Sequence, residues 1–248
     1  MTGAWQKTEA VFYTNLGVIP KIVSWHAQAW RHQVNEPPFT LTDTRMSFTA
    51  PENKSEHFET GRQFTPLGAP FPIDISDISG VVFTQPTTAR HFLLALFSEG
   101  FYIHSKADPE NVKTGGNRQF TPLSRAAFFA WWRSHQFHTD RFLAEMTLKH
   151  PATPVFVTPS ILPRSDQKMF PKAFRKFNFR MDRILLDILA DKYAISSCTQ
   201  PKETFDLETF QTRDRYAEPS PDAHHYSPDY VKSVCKTDAF QAFLTICR

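Results

Sequence analysis

Glycine is scarce in this sequence: 8 of the 248 residues are Gly, whereas about 7% is usual in soluble proteins. Loops that wrap around a phosphate bring several glycines close together, so this shortage argues against a nucleotide-binding loop. Neither sign of charge dominates, because 28 Lys and Arg residues face 25 Asp and Glu residues and the formal net charge is +3. A balance this mild does not indicate a nucleic-acid partner.

Cysteine is also rare. The three residues Cys198, Cys235 and Cys247 are too few and too close to the C-terminus for a disulfide framework. No Cys-x-x-Cys pair is present, so a structural zinc site of the usual spacing is not expected. Cys235 and Cys247 remain able to pair in an oxidising compartment. We expect the protein to use no cofactor.

Long hydrophobic runs are missing too. No stretch reaches the roughly 18 uncharged apolar residues of a membrane span. Residues 1–10 include Gln, Lys and Glu at positions where a signal peptide has an apolar run. We therefore expect a cytoplasmic protein with no membrane span.

Phenylalanine, by contrast, is abundant, with 24 residues in a sequence that is 41% hydrophobic. This content excludes an intrinsically disordered chain and is enough for a sizeable core. Three short, largely apolar runs predict buried strands at 18–23, 79–84 and 154–158. Helix signals alternate with these runs, so we expect an α/β fold with a central parallel sheet that helices cover on both faces.

Helices are predicted over 124–149 and 227–247, the latter beginning with the start signal Ser-Pro-Asp. We expect irregular insertions in the proline-rich residues 35–72 and in the segment 102–123, because they show neither the apolar runs of strands nor the signals of helices. The whole chain, residues 1–248, is expected to form a single domain.

The longest predicted helix has an apolar stripe that recurs at steps of four and three residues: Phe170, Phe174, Phe177, Met181, Ile184 and Ile188. Its basic residues lie largely on the opposite side: Lys168, Lys172, Arg175, Lys176, Arg180 and Arg183. We expect a solvated polar face here. The alternative is contact with an anionic polymer or headgroup, which would make binding strongly dependent on salt. A short strand is predicted next, over residues 193–196.

A candidate catalytic pair lies near the C-terminus, in the sequence Asp222-Ala-His-His225, just before the predicted helix that starts at Ser227. An Asp three residues before a His is able to hold the imidazole in one tautomer and to stabilise the imidazolium that forms during proton transfer. Two alternatives remain open. In the first, the functional imidazole is that of His224. In the second, a metal ion is bound by Asp222, His224 and His225.

This segment resembles the SGNH/GDSL hydrolase superfamily, whose last motif reads Asp-x-x-His and often precedes an aromatic residue, a Ser-Pro pair and a helix. The resemblance implies a three-layer α/β/α fold with Asp222 as the orienting acid and His225 as the general base. It places the nucleophile just after the first strand, where Ser24 stands. The superfamily's Gly-Asp-Ser and Gly-x-Asn-Asp motifs are absent here, and helix capping is the other role open to Ser24.

The resemblance implies an acyl-ester hydrolase or acyltransferase that acts on a small-molecule or saccharide ester, acetyl esters among them. The alternative is a non-catalytic module of the same fold that binds a glycan or a protein partner. The absent Gly-Asp-Ser motif favours the module, whereas the Asp-x-x-His motif favours the enzyme. Oligomeric state is not predicted by these features.

Overall fold

The computed structural model of the chain describes residues 22–26, 39–48, 73–84, 96–103, 121–164, 172–217 and 227–247. In chain order, the strands and helices of these residues are β1 (Ile22–His26), β2 (Phe39–Leu41), β3 (Arg45–Phe48), β4 (Ile73–Asp74), β5 (Gly80–Thr84), β6 (Phe101–Ile103), β7 (Thr121–Leu123), α1 (Arg125–His135), α2 (Phe137–Lys149), β8 (Val155–Val157), α3 (Lys172–Tyr193), β9 (Ser196–Ser197), β10 (Phe205–Asp206), β11 (Gln211–Thr212), α4 (Pro228–Cys235) and α5 (Asp238–Ile246). Short 3-10 turns occupy Ile75–Asp77, Lys202–Thr204 and Asp214–Tyr216.

The main sheet has the order β1-β5-β8-β9, and every neighbouring pair in it is parallel. The prediction that the three apolar runs are parallel neighbours is therefore confirmed. The strands predicted at 79–84 and 154–158 are Gly80–Thr84 and Val155–Val157 in the structure. Residues 18–21 of the first predicted strand lie outside the described residues. Two other strand bounds differ more from the predictions. The first strand continues through Ser24 to His26, because its pairing with β5 extends as far as Thr84. The strand predicted over 193–196 is instead Ser196–Ser197, since α3 runs on to Tyr193 and Ala194 then turns the chain with a φ of 50°.

Helices cover both faces of this sheet. Successive residues of a strand point to opposite faces, so each face packs against a different set of helices. On one face, Val81, Phe83 and Val157 join a buried cluster with side chains of α1, α2 and α3. On the other face, Val82 and Phe156 pack against α4 and α5. The strands lie side by side in the order in which they occur in the chain. Right-handed connections between them therefore place the intervening helices on one side of the sheet. The opposite side is covered by the two helices that follow β9.

The two predicted helical segments are each divided in the structure. Gln136, with φ −126° and ψ 42°, separates α1 from α2. Thr237 separates α4 from α5, and its side chain caps α5 by accepting a hydrogen bond from the Phe240 amide. Ser124 and Ser227 cap α1 and α4 in the same way, and Ser227 occupies the predicted cap position.

The long helix α3 buries its apolar stripe as predicted at Phe174, Phe177, Met181 and Ile188, whereas Ile184 is half-buried. The predicted stripe residue Phe170 and the basic residue Lys168 lie outside the described residues.

The basic side of α3 is less exposed than expected. Lys172 and Arg183 are exposed, but Arg175, Lys176 and Arg180 are half-buried. The β10–β11 hairpin packs on this side of the helix, against Arg175 and Phe179.

Two contacts hold the hairpin there. Arg175 Nε donates to the Thr209 carbonyl at 2.9 Å. The Phe179 ring lies against the rings of Phe205 and Phe210. Part of the basic side is therefore an internal contact surface rather than a solvated face.

The two insertions contain regular structure. Within 35–72, β2 and β3 form a hairpin, and β4 extends it to a three-stranded antiparallel sheet. Lys149 Nζ and His150 Nε2 bind the carbonyls of Leu41 and Thr42, so this sheet is held against the end of α2. Near 102–123, β6 and β7 form a parallel pair. Among the helices of the described residues, none combines the length and the apolar character that a membrane crossing requires.

Candidate functional site

The carboxyl ends of the four parallel strands meet at one edge of the main sheet. The register pairs His26 with Thr84, Phe83 with Val157, and Val157 with Ser197. In open parallel α/β sheets, ligands bind in the crevice outside this edge. The carboxyl edge is therefore the place where a functional site is expected.

Ser24 lies close to this edge but not at it. It occupies the middle of β1, two residues before the last strand residue His26, and its register partner is the buried Val82. The structure describes its backbone, and its side chain lies outside the described part. The position inside the strand differs from the predicted position at the strand end. The nucleophile role of Ser24 stays a prediction.

Asp222, His224 and His225 lie outside the described residues, within 218–226, but both ends of that segment are described. The Ser227 amide donates to the Tyr216 carbonyl at 3.0 Å. Ser227 Oγ donates to the Arg215 carbonyl at 2.7 Å. These two bonds hold Ser227 next to Arg215 and Tyr216, so the described residues that flank 218–226 lie close together.

Charged side chains add further contacts between the residues on the two sides of segment 218–226. Asp229, in the first turn of α4, binds Arg215 Nε at 2.9 Å and Lys232 Nζ at 3.2 Å. Hydrogen bonds from Arg215 and then from Lys232 lower the pKa of the Asp229 carboxyl. The carboxylate also lies near the positive end of the α4 dipole, which favours its ionised form.

A second loop, residues 158–164, leaves the carboxyl end of β8 and is called here the β8 exit loop. Its first amide, that of Thr158, donates to the Phe83 carbonyl at 3.1 Å, so the loop starts beside the end of β5. The Ser160 amide donates to Asp182 Oδ2 at 3.3 Å, and the Asp182 side chain comes from α3. The Leu162 amide donates to Gln200 Oε1 at 2.8 Å.

Gln200 is the centre of a buried hydrogen-bond network. Its Nε2 donates to the hydroxyls of Thr204 and Thr212, each at 3.1 Å. Thr212 in turn donates to the Leu162 carbonyl, and Thr204 to the Pro201 carbonyl, both at 2.6 Å.

The network joins the β8 exit loop to the β10–β11 hairpin, and the Thr212 amide adds a bond to the Pro163 carbonyl. Five residues beyond Thr212 the described chain reaches Ala217, where segment 218–226 begins. The network therefore holds the β8 exit loop against the β10–β11 hairpin.

Burial disfavours the thiolate form of all three cysteines. Burial raises the pKa of Cys198 and of Cys235 to about 12, and that of Cys247 to about 11. All three are free thiols, and because their protonated forms are favoured at neutral pH, they are poorly reactive.

No metal centre is found in the described part of the chain, where no three or more His, Cys, Asp and Glu side chains are placed to hold an ion. The alternative in which Asp222, His224 and His225 bind a metal lies outside those residues.

A second buried carboxylate, Asp140, lies at the junction of three helices rather than at the carboxyl edge. It binds Arg133 Nε at 2.9 Å and accepts a hydrogen bond from the Tyr193 hydroxyl. Burial, and then this hydrogen bond to Asp140, raise the pKa of Tyr193. The three residues come from α1, α2 and α3, so this group serves to join the helices.

Sequence reasoning missed the residues that hold the β8 exit loop. One signal was available for Asp182: it lies one helical turn after Asn178, and both polar residues fall among the apolar positions of α3, where the structure buries them. Gln200 and Thr212 give no such signal, because their partners depend on how distant segments meet.

Comparison of the chain with protein-family models, with curated protein sequences and with solved structures finds no match.

Proposed function

We propose that the chain is an acyl-ester hydrolase or acyltransferase with a fold of the SGNH type. The observation that carries the proposal is the pair of hydrogen bonds that joins the residues on the two sides of segment 218–226. This segment contains the Asp222-x-x-His225 motif, and its two ends are held together by the Ser227 bonds to Arg215 and Tyr216. The described chain reaches this segment from the β10–β11 hairpin, which binds the β8 exit loop beyond the carboxyl end of β8. Sites of α/β enzymes are built from loops at this edge.

In the proposed mechanism, His225 accepts the proton of the nucleophile's hydroxyl as that oxygen attacks the acyl carbonyl. The bond to the alcohol then breaks, and His225 returns the proton to the leaving oxygen. In the second half, His225 accepts the proton of water, or of an acceptor alcohol in the transferase version, as its oxygen attacks the acyl-enzyme. The bond between the acyl group and the nucleophile's oxygen then breaks, and His225 returns the proton to that oxygen. Asp222 holds the imidazole in the tautomer that these transfers need. Ser24 is the nucleophile that the resemblance implies.

The test is hydrolysis of 4-nitrophenyl acetate and of an acetylated xylo-oligosaccharide by four folded variants. His225→Ala removes the general base and should lower kcat about 10²–10⁴-fold. Asp222→Asn should also lower kcat, because the imidazole loses its orienting partner. His224→Ala is the matched control and should have a mild effect. Full activity of folded His225→Ala would defeat the catalytic assignment.

Ser24→Ala separates two versions of the mechanism. A large loss of kcat supports Ser24 as the nucleophile. An unchanged kcat assigns the attack to another hydroxyl or to an activated water molecule.

A non-catalytic module that binds a glycan or protein is the second candidate. The observation that favours it is the absence of Gly-Asp-Ser from the sequence, together with the position of Ser24 inside β1. Such a module should bind the acetylated xylo-oligosaccharide without hydrolysing it. Calorimetric titration of the wild-type protein distinguishes the two, because an enzyme releases acetate during the titration and a module does not.

A further inference from the structure

The three cysteines lie on one face of the main sheet, around the helices α4 and α5. Cys235 and Cys247 belong to the buried cluster that these helices form with the sheet, and the half-buried Cys198 packs against that cluster. Cys198 is the residue directly after β9, Cys235 is the last residue of α4, and Cys247 follows α5. Whether a disulfide forms on this face depends on which of these thiols lie close together.

Cys198 and Cys235 meet at the corner between α4 and α5. The Cys198 thiol is hydrogen-bonded to the side chain of Thr237, the residue that separates the two helices and caps α5. Thr237 lies two positions beyond Cys235, and its hydroxyl donates back to the Val234 carbonyl in α4 at 2.7 Å. The pKa of Cys235 is raised first by burial and then by the charge of Cys198. The two sulfur atoms are therefore within electrostatic reach of each other.

Cys247 lies at the other end of α5. This helix has 9 residues, Asp238–Ile246, which corresponds to a length of about 13 Å. Beyond it, the Cys247 Sγ lies over Gly80, 2.6 Å from the point that a β-carbon of this glycine would occupy. Gly80 begins β5 whereas Cys198 follows the end of β9, so Cys247 and Cys198 lie towards opposite ends of the parallel sheet. Cysteines joined by a disulfide have Cα atoms about 4–7 Å apart. The pairing of Cys235 with Cys247 that the sequence left open is therefore excluded in this fold.

We propose that Cys198 and Cys235 form a disulfide in the folded chain in the presence of a small disulfide such as oxidised glutathione, and that Cys247 stays a free thiol. The bond joins β9, at one edge of the main sheet, to the end of α4. It encloses residues 199–234 in one loop, and such a cross-link stabilises a fold by restricting the unfolded chain. The pair is a redox-sensitive cross-link between the sheet and the helices on one of its faces.

The exchange takes place in two steps. The Cys198 sulfur belongs to the more exposed residue of the pair, and as a thiolate it attacks one sulfur of oxidised glutathione. A mixed disulfide forms and one glutathione thiolate leaves. The Cys235 thiolate then attacks the Cys198 sulfur and releases the second glutathione. Two protein thiols are oxidised, one glutathione disulfide is reduced, and the two protons pass from the protein thiols to the released glutathione thiolates. Because burial favours the thiol forms, the exchange is slow.

The experiment incubates the reduced, folded full chain with excess oxidised glutathione until its thiol content is constant. The remaining thiols are then blocked with iodoacetamide in urea, and linked peptides are identified by mass spectrometry. The expected products are a link between Cys198 and Cys235 and an alkylated Cys247. The oxidised protein should also have a higher midpoint of urea unfolding than the reduced protein. The matched control Cys247→Ala should form the same link, whereas Cys198→Ser and Cys235→Ser should form none.

Circular dichroism before oxidation shows whether each protein is folded, and the wild-type peptide map does not depend on any variant. A link that includes Cys247 overturns the proposal. Folded wild-type protein that keeps all three thiols, or that stops at a mixed disulfide between Cys198 and glutathione, also overturns it. The same holds for a link between Cys198 and Cys235 that forms in urea but not in the folded protein, because the two sulfurs would then not meet in the native state.

Discussion

Replacing Gln200 by Leu tests whether the Gln200 network holds the β8 exit loop to the β10–β11 hairpin. Leu fills similar space but provides no acceptor for the Leu162 amide, and a buried donor without a partner costs about 1–3 kcal/mol. The hydroxyls of Thr204 and Thr212 keep their 2.6 Å bonds to carbonyls and lose only the bond that each accepts from Gln200. Each of those bonds contributes about 0.5–1.5 kcal/mol.

Burial of the apolar Leu side chain offsets about 1–2 kcal/mol of this loss. The mid-range values of these contributions give a net decrease in the free energy of unfolding of about 2–3 kcal/mol. Urea denaturation followed by circular dichroism measures it, provided that the m-value stays constant. Thr245→Val is the control, because its exposed hydroxyl bonds only within α5, to the Gln241 carbonyl. It should change the free energy of unfolding by less than about 0.5 kcal/mol.

A double-mutant cycle with Thr212→Val tests the coupling directly. Residues that share one hydrogen-bond network have interaction energies of about 0.5–3 kcal/mol. A Gln200→Leu effect below about 1 kcal/mol, or strictly additive effects of Gln200→Leu and Thr212→Val, would refute the reasoning.

The remaining predictions concern the core, a helix end and the basic side of α3. Phe177→Ala removes a fully buried ring and should lower the free energy of unfolding by about 3–5 kcal/mol; an unchanged urea midpoint would contradict this burial. Ala194→Gly should raise the same free energy by about 0.5–1 kcal/mol, since Gly adopts the φ of 50° without strain, and a decrease would argue against that conformation. Arg175→Glu should lower it by about 1–3 kcal/mol because the Thr209 carbonyl loses its donor, whereas exposed Lys172→Glu should change it by less than about 0.5 kcal/mol. Equal effects of the two reversals would show that the hairpin does not depend on Arg175.

Continuous apolar runs predicted the central sheet correctly. The Val81–Phe83 and Val155–Val157 segments are apolar at every position, a pattern typical of a strand buried on both faces. Such runs specify burial but not length, so the end of β1 at His26 depends on its pairing with β5. The apolar stripe on α3 could also be predicted from the sequence, because its period of 3.6 residues depends on the geometry of the helix and not on contacts with other segments.

Contacts between distant segments were not readable from the sequence. The sequence predicts that the basic residues of α3 form a solvated face, whereas in the structure the hairpin 205–212 packs beside Arg175 and Phe179. The same holds for Gln200, whose partners come from the β8 exit loop and from the hairpin. The Asp222-x-x-His225 motif was found because both members lie within one short segment. A nucleophile from another strand leaves no such local pattern.

The pH dependence of kcat/KM for 4-nitrophenyl acetate tests the central claim most directly. If His225 is the general base, kcat/KM of the wild-type protein should rise with pH through about 6–7, where an imidazole loses its proton. His224→Ala should keep this rise, and folded His225→Ala should lose it together with most of the rate. A rise of the same height and midpoint in His225→Ala would contradict the account.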